Sequence, residues 1–148
     1  MQVKCGDFGL AAALTFNDER RRTVCGTPNY IAPEILESNK FNGHSYEVDV
    51  WSLGVIMYAM IIGRPPFETS DIKMTYKRIK QIQFSFPDGV PISESAMDLI
   101  KSILVLDPVS RPSLEDILDH DFFHKGHKIP RLLPASTLAC PPSASYMK

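Results

Sequence analysis

Apolar residues crowd one stretch of this chain, from Val48 to Ile62, and leave few polar breaks beyond Asp49 and Ser52. The stretch is too short to cross a bilayer comfortably, so it predicts a buried core helix over about 47–62. Ser45 is its expected cap, and Gly63 followed by Pro65-Pro66 its stop. Val48, Val50, Trp51, Leu53, Val55, Ile56, Met57, Ala59 and Met60 surround the helix, which predicts burial on all faces. Ile72, Tyr76 and Ile79 follow helical spacing and predict a surface helix after Ser70. Ala96, Leu99, Ile100, Ile103 and Leu104 form a cleaner stripe behind a Ser93 cap. Leu114, Ile117 and Leu118 predict a last short helix after Pro112-Ser113, and Ala32–Glu37 another short helix opened by Pro33. Gln2–Cys5 reads as a short strand, 6–31 as a long loop, and 38–45 as a polar loop. From Gly126 the chain is rich in Pro, Ser and Ala and reads as an extended tail. The expected class is mainly α.

Composition narrows the functional classes. The 148 residues are 44% hydrophobic and 22% charged, a globular mixture. A formal net charge of −1 gives no broad electrostatic case for nucleic acid or an anionic membrane as partner. Cys5, Cys25 and Cys140 make no CxxC pair, which argues against a disulfide scaffold or zinc and fits a reducing compartment. His44, His120, His124 and His127 do not form a ligand set. The N-terminus lacks the apolar core of a signal peptide.

Four short signatures carry chemistry. Asp7-Phe8-Gly9 offers a carboxylate of the kind that holds Mg²⁺ against phosphates, although the tripeptide alone reads better as a turn. Ala32-Pro33-Glu34 closes the segment downstream, after Gly26-Thr27-Pro28-Asn29-Tyr30-Ile31. Asp49-Val50-Trp51-Ser52-Leu53-Gly54 lies on the apolar helix, and Arg111-Pro112 precedes the last helical stripe. Taken singly, Asp49 reads equally as a helix N-terminal acid favoured by the dipole. Likewise, Asp18, Glu19 and Arg20-Arg21-Arg22 make a solvated charge cluster.

In this order and spacing the signatures resemble the protein kinase family over almost the whole chain. The resemblance implies the C-terminal lobe of the protein-kinase fold, with the N-terminal lobe and catalytic loop absent. Residues 1–124 would be a partial kinase domain, and 125–148 an extended tail toward a polo-box region. Asp7 would be the Mg²⁺ ligand, and Phe8 and Gly9 the adjoining packing and pivot residues. Glu34 would pair with Arg111 to brace the substrate-docking loop, and Asp49 would hydrogen-bond the catalytic-loop backbone. Thr27 would contact the catalytic Asp and favour Ser/Thr acceptors. Thr23, after three arginines, would be the activation-loop phosphosite of an upstream basic-directed kinase.

Thr23–Glu34, Gly43–Ser52 and Gly63–Thr69 look like polo-like kinases in particular, and so does Ile129–Pro134 in the tail. Phe84–Pro87 and the Leu106–Ser113 passage look similar to fungal-type members; Cys5 departs from the usual aliphatic residue. The implied activity is transfer of the ATP γ-phosphate to protein Ser/Thr, with Mg²⁺, in the cell cycle and mitosis. The implied locations are nucleus and cytoplasm, spindle pole or centrosome, and kinetochore. The 148 residues hold no Gly-rich loop, no strand Lys with its helix Glu, and no His-Arg-Asp. The chain alone is therefore expected to be inactive, with exposed apolar surface and a tendency to aggregate. The alternative is a non-catalytic interaction module or decoy; intact Asp7 and Glu34 argue against a decayed pseudokinase.

Overall fold

A computed structural model describes residues 4–16 and 18–125. The expected tail, and Gln2 and Val3 of the expected strand, lie outside them; Lys4 and Cys5 have no strand conformation. The described residues form no strand, only one isolated antiparallel bridge between Arg21 and His44. Their helices are α1 (Pro33–Leu36), α2 (Ser38–Phe41), α3 (Glu47–Ile62), α4 (Ile72–Lys80), α5 (Glu94–Ile103), α6 (Leu114–Leu118) and α7 (Asp121–His124). Short 3-10 turns occupy Phe8–Leu10, Pro28–Tyr30 and Pro108–Ser110. No described helix is long and apolar enough to cross a membrane. Helix α2 corrects the expected polar loop over 38–45. Its turn survives without an apolar stripe because Asn42, in left-handed conformation, returns its amide to Ser38 C=O and closes the end.

Helix α3 has the predicted bounds and stops at Gly63, whose N–H donates to Ala59 C=O. Two details differ from expectation. Tyr46, not Ser45, holds the cap position, and it is already in right-handed helical conformation. A serine cap works from an extended backbone; here Ser45 Oγ is buried without a partner among the described residues. Nor is α3 buried on all faces. Trp51, Gly54, Val55 and Tyr58 form one buried stripe, whereas Met60 is 81% and Ile56 39% exposed. The packed neighbours, chiefly α5 and the Pro28–Tyr30 and Pro108–Ser110 turns, cover one side of the helix.

That buried side is closely fitted. A Cβ on Gly54 would come within 2.5 Å of Ile103 Cγ2 and 3.0 Å of Leu104 Cδ2, so the missing side chain sets the approach of α5. Around it lies an aromatic cluster: Trp51 stacks on Phe67 at 5.4 Å between centroids, and Phe67 meets Phe84 edge-on at 5.5 Å. Phe84 and Phe86 turn inward against Tyr58, whose hydroxyl donates to Ser85 C=O at 2.7 Å. Burial pushes the Tyr58 phenol above its ordinary range, with Arg64 and Arg78 opposing.

Local signals set the remaining helices. Ser93 Oγ caps α5 by accepting from Ala96 N–H, and all five residues of its stripe are buried. Asp71 caps α4 through Lys73 N–H; Ile79 enters the core while Ile72 stays exposed. Ser113 and Asp116 form a reciprocal capping box on α6. The hydrogen bonds from Ser113 hold the Asp116 carboxyl below its ordinary range. Of the α6 stripe only Ile117 is buried. The last helix is α7, not α6; its Phe122 and Phe123 meet edge-on at 4.9 Å and pack against the core.

One ion pair joins residues 77 positions apart. Arg111 donates from Nη1 to Glu34 Oε1 at 2.7 Å and from Nη2 to Glu34 Oε2 at 2.8 Å. Both side chains are 1% exposed. The guanidinium also donates to Glu47 C=O and Val105 C=O, and lies 5.0 Å over the Trp51 ring. Removing one member strands a buried charge, so Glu34→Gln or Arg111→Met should each lower stability by about 3–5 kcal/mol in urea unfolding. A Glu34→Gln/Arg111→Met double variant should lose clearly less than the sum of the two single losses. Gly54→Ala gains helix propensity but drives its methyl into Ile103; a net loss of about 1–2 kcal/mol is expected in the same assay.

Candidate functional site

The loop from residue 6 to 31 lies against the N-terminal end of α3, and between them opens a cleft of about 480 Å³. One wall comes from Leu10–Ala12 and Leu14, directly downstream of Asp7. Cys25-Gly26-Thr27 and Tyr30 also line it, with Asp49 and Ser52 of α3. Ser45, whose Oγ is buried without a partner among the described residues, belongs to the same lining.

Asp7 is exposed and adopts a left-handed conformation (φ 61°) just before the Phe8–Leu10 turn. Such a φ is uncommon outside glycine, and aspartate tolerates it better than most residues. Phe8 is 69% exposed, and Asp7, Phe8 and Gly9 are not on the cleft lining. A Cβ on Gly9 would sit 3.5 Å from Asp7 Oδ1, an ordinary contact. The described residues contain no group of three His, Cys, Asp or Glu able to hold a metal ion among themselves. Asp7 therefore offers one hard oxygen donor group, the share a single carboxylate takes when phosphates and waters complete a Mg²⁺ shell.

Thr27 precedes the Pro28–Tyr30 turn, is exposed, and accepts on its carbonyl from Tyr30 N–H at 2.9 Å. That turn is fastened to α3 by Ser52, whose Oγ bridges Tyr30 C=O at 3.2 Å and Val48 C=O at 3.0 Å. It is fastened to the loop before α4 by Asn29 Nδ2 and Glu68 Oε1. Just beyond, Ile31–Ile35 is continuously buried and ends in the Glu34–Arg111 pair. The structure thus brings Thr27, Asp49, Ser52 and the stretch after Asp7 to one cleft, and Glu34 of the buried Glu34–Arg111 pair follows closely in the chain. Asp49 is exposed, and no side-chain hydrogen bond to it occurs among the described residues.

Thr23 is exposed outside the cleft, on a segment tied down residue by residue. Arg21 and His44 exchange backbone hydrogen bonds at 2.8 and 2.9 Å. Arg22 Nη2 donates to Asn42 Oδ1, His44 Nε2 bonds Thr23 C=O, and Arg20 reaches Glu47. The Thr15 N–H, with Arg21 assisting, holds the Glu19 carboxyl below its ordinary range. Sequence reasoning missed Ser52 and the 42–44 turn as positioning residues. The Asn42-Gly43 dipeptide was the available turn signal. Ser52 offered none, since a mid-helix serine does not announce its partners.

The sequence matches the protein kinase domain family over residues 1–123. It is 61% identical over 99% of its length to a probable serine/threonine-protein kinase CCRP1 of Zea mays. It is 57% identical over 98% to a probable serine/threonine-protein kinase PLK of Dictyostelium discoideum. To the cell cycle serine/threonine-protein kinase CDC5/MSD2 of Saccharomyces cerevisiae it is 50% identical over 95%. Overall identity thus gives no added weight to the passages that look fungal. The chain spans 23%, 14% and 20% of the length of these three relatives. With its helical architecture, buried Glu34–Arg111 pair and ordered signatures, the chain belongs to the protein kinase domain family, among its polo-like members, and carries helical C-terminal-lobe structure of that domain.

Proposed function

We propose that this chain is the substrate-docking and regulatory part of a polo-like Ser/Thr kinase that transfers the ATP γ-phosphate to protein hydroxyls in cell-cycle control. The observation that carries the reading is the convergence of Thr27, Asp49 and the stretch after Asp7 on one cleft, followed closely in the chain by Glu34 of the buried Glu34–Arg111 pair. In this reading the Asp7 carboxylate would hold Mg²⁺, and Mg·ATP when bound would supply the phosphoryl group and the neutralising charge. Thr27 orients the acceptor hydroxyl, and the fixed Pro28–Tyr30 turn positions the acceptor chain. Asp49 and Ser45 receive backbone from elsewhere in the kinase domain. Thr23 takes a phosphate from an upstream kinase. The working places would be the nucleus and cytoplasm, at spindle poles or centrosomes and kinetochores, with protein substrates as partners.

Phosphoryl transfer rests on positioning and preorganised charge. A single carboxylate supplies neither in full, so the 148 residues by themselves should be inactive. In a casein assay with Mg·ATP, the full-length gene product should transfer phosphate, and Asp7→Ala should lower kcat by at least about a hundredfold. The 148-residue chain should transfer none. Asp7-dependent activity in the short chain would overturn the inactivity. An inert full-length product would favour the non-catalytic interaction reading.

A further inference from the structure

Four consecutive residues, Arg20 to Thr23, are each bonded to the 42–47 stretch, and the Thr23 hydroxyl makes no hydrogen bond among the described residues. Arg21 and His44 form a two-bond antiparallel rung at 2.8 and 2.9 Å. Arg22 Nη2 reaches Asn42 Oδ1 at 2.8 Å, and His44 Nε2 reaches Thr23 C=O at 3.0 Å. Arg20 Nη1 meets Glu47 Oε2 at 3.3 Å. The turn that makes this possible is built for close approach. Gly43 is buried at φ 96°, and a Cβ there would stand 2.6 Å from Arg21 O, a backbone atom that cannot swing away.

We infer that the Asn42-Gly43-His44 turn is a clasp that gates modification of Thr23; this rests on the reading of Thr23 as a phosphate acceptor. The transfer breaks the bond from the ATP γ-phosphorus to its bridging oxygen and forms one to Thr23 Oγ. ADP leaves, and the hydroxyl proton passes to the modifying kinase. Such a transfer needs the reacting atoms about 3–3.5 Å apart and in line, so the acceptor segment must enter another protein's cleft. Exposure of the Thr23 hydroxyl does not suffice, because the backbone on its N-terminal side is bonded to the chain's own surface. The segment must first peel away, and the clasp sets how often it does.

The open fraction is readable without reference to phosphate, because trypsin cleaving after Arg20, Arg21 or Arg22 also needs a peeled segment. In the full-length protein, His44→Ala removes one hydrogen bond and should raise cleavage there about fivefold. Gly43→Ala breaks the rung as well and should raise it at least about tenfold. A thermal melt reports whether each variant is folded; should Gly43→Ala fail, His44→Ala carries the test. Phosphorylation of Thr23 by a basic-directed kinase should rise in parallel, toward the rate of a free peptide spanning 18–28. Unchanged cleavage in folded His44→Ala overturns the clasp. Faster cleavage with an unchanged Thr23 phosphorylation rate overturns its role as a gate. No phosphate on Thr23 in the peptide or in any protein form defeats the acceptor reading, and the gate with it.

Discussion

A guanidinium and a carboxylate withdrawn from water each lose several kcal/mol of solvation, and only close, fully bonded geometry offsets that loss. Arg111 and Glu34 meet these terms. The fork is bidentate, the remaining donors reach Glu47 C=O and Val105 C=O, and Trp51 lies beneath the guanidinium plane. The contact therefore joins α1, the first turn of α3, the stretch after α5 and the entry to α6. No apolar contact of the same size would set the angle between these segments so narrowly, because burial is non-directional and a fork is not.

The cleft inherits its shape from that joint. Ile31–Ile35 is buried beside the pair, so the Pro28–Tyr30 turn has a fixed base, and Ser52 fixes its top through Tyr30 C=O. Trp51 belongs at once to the cation contact and to the stack on Phe67, which ties the α3–α4 connection to the same centre. By contrast, the 20–23 stretch is held to residues 42–47 by surface bonds: the Arg21–His44 rung, Arg22–Asn42, His44–Thr23 and Arg20–Glu47. A firmly based turn beside a segment held by surface bonds gives the chain one constant and one adjustable element.

Much of this was legible beforehand, and the reasons are local. The bounds of α3 followed from an uninterrupted apolar run ended by Gly63, and α5 from a stripe behind Ser93. Glu34 and Arg111 could be paired only through the family resemblance, since no periodicity links residues 77 apart. The errors have physical causes too. Apolar residues all round α3 implied full burial, yet composition cannot say which neighbours are at hand to cover Ile56 and Met60. Ser45 had the right chemistry for a cap, but Tyr46 begins the helical turn too early for its hydroxyl to serve. The 42–44 turn was readable as a turn; that a loop twenty residues upstream bonds to it was not, because cross-chain rungs leave no local trace.

The Glu34–Arg111 pair transmits order from the helical core to the Pro28–Tyr30 turn. Hydrogen exchange on full-length protein carrying Arg111→Met tests it most directly. Amides from Tyr30 through Glu37 should lose protection far more than those of α5, whose own core contacts remain. A uniform loss across both segments, or retained protection at Tyr30–Glu37, would contradict the account.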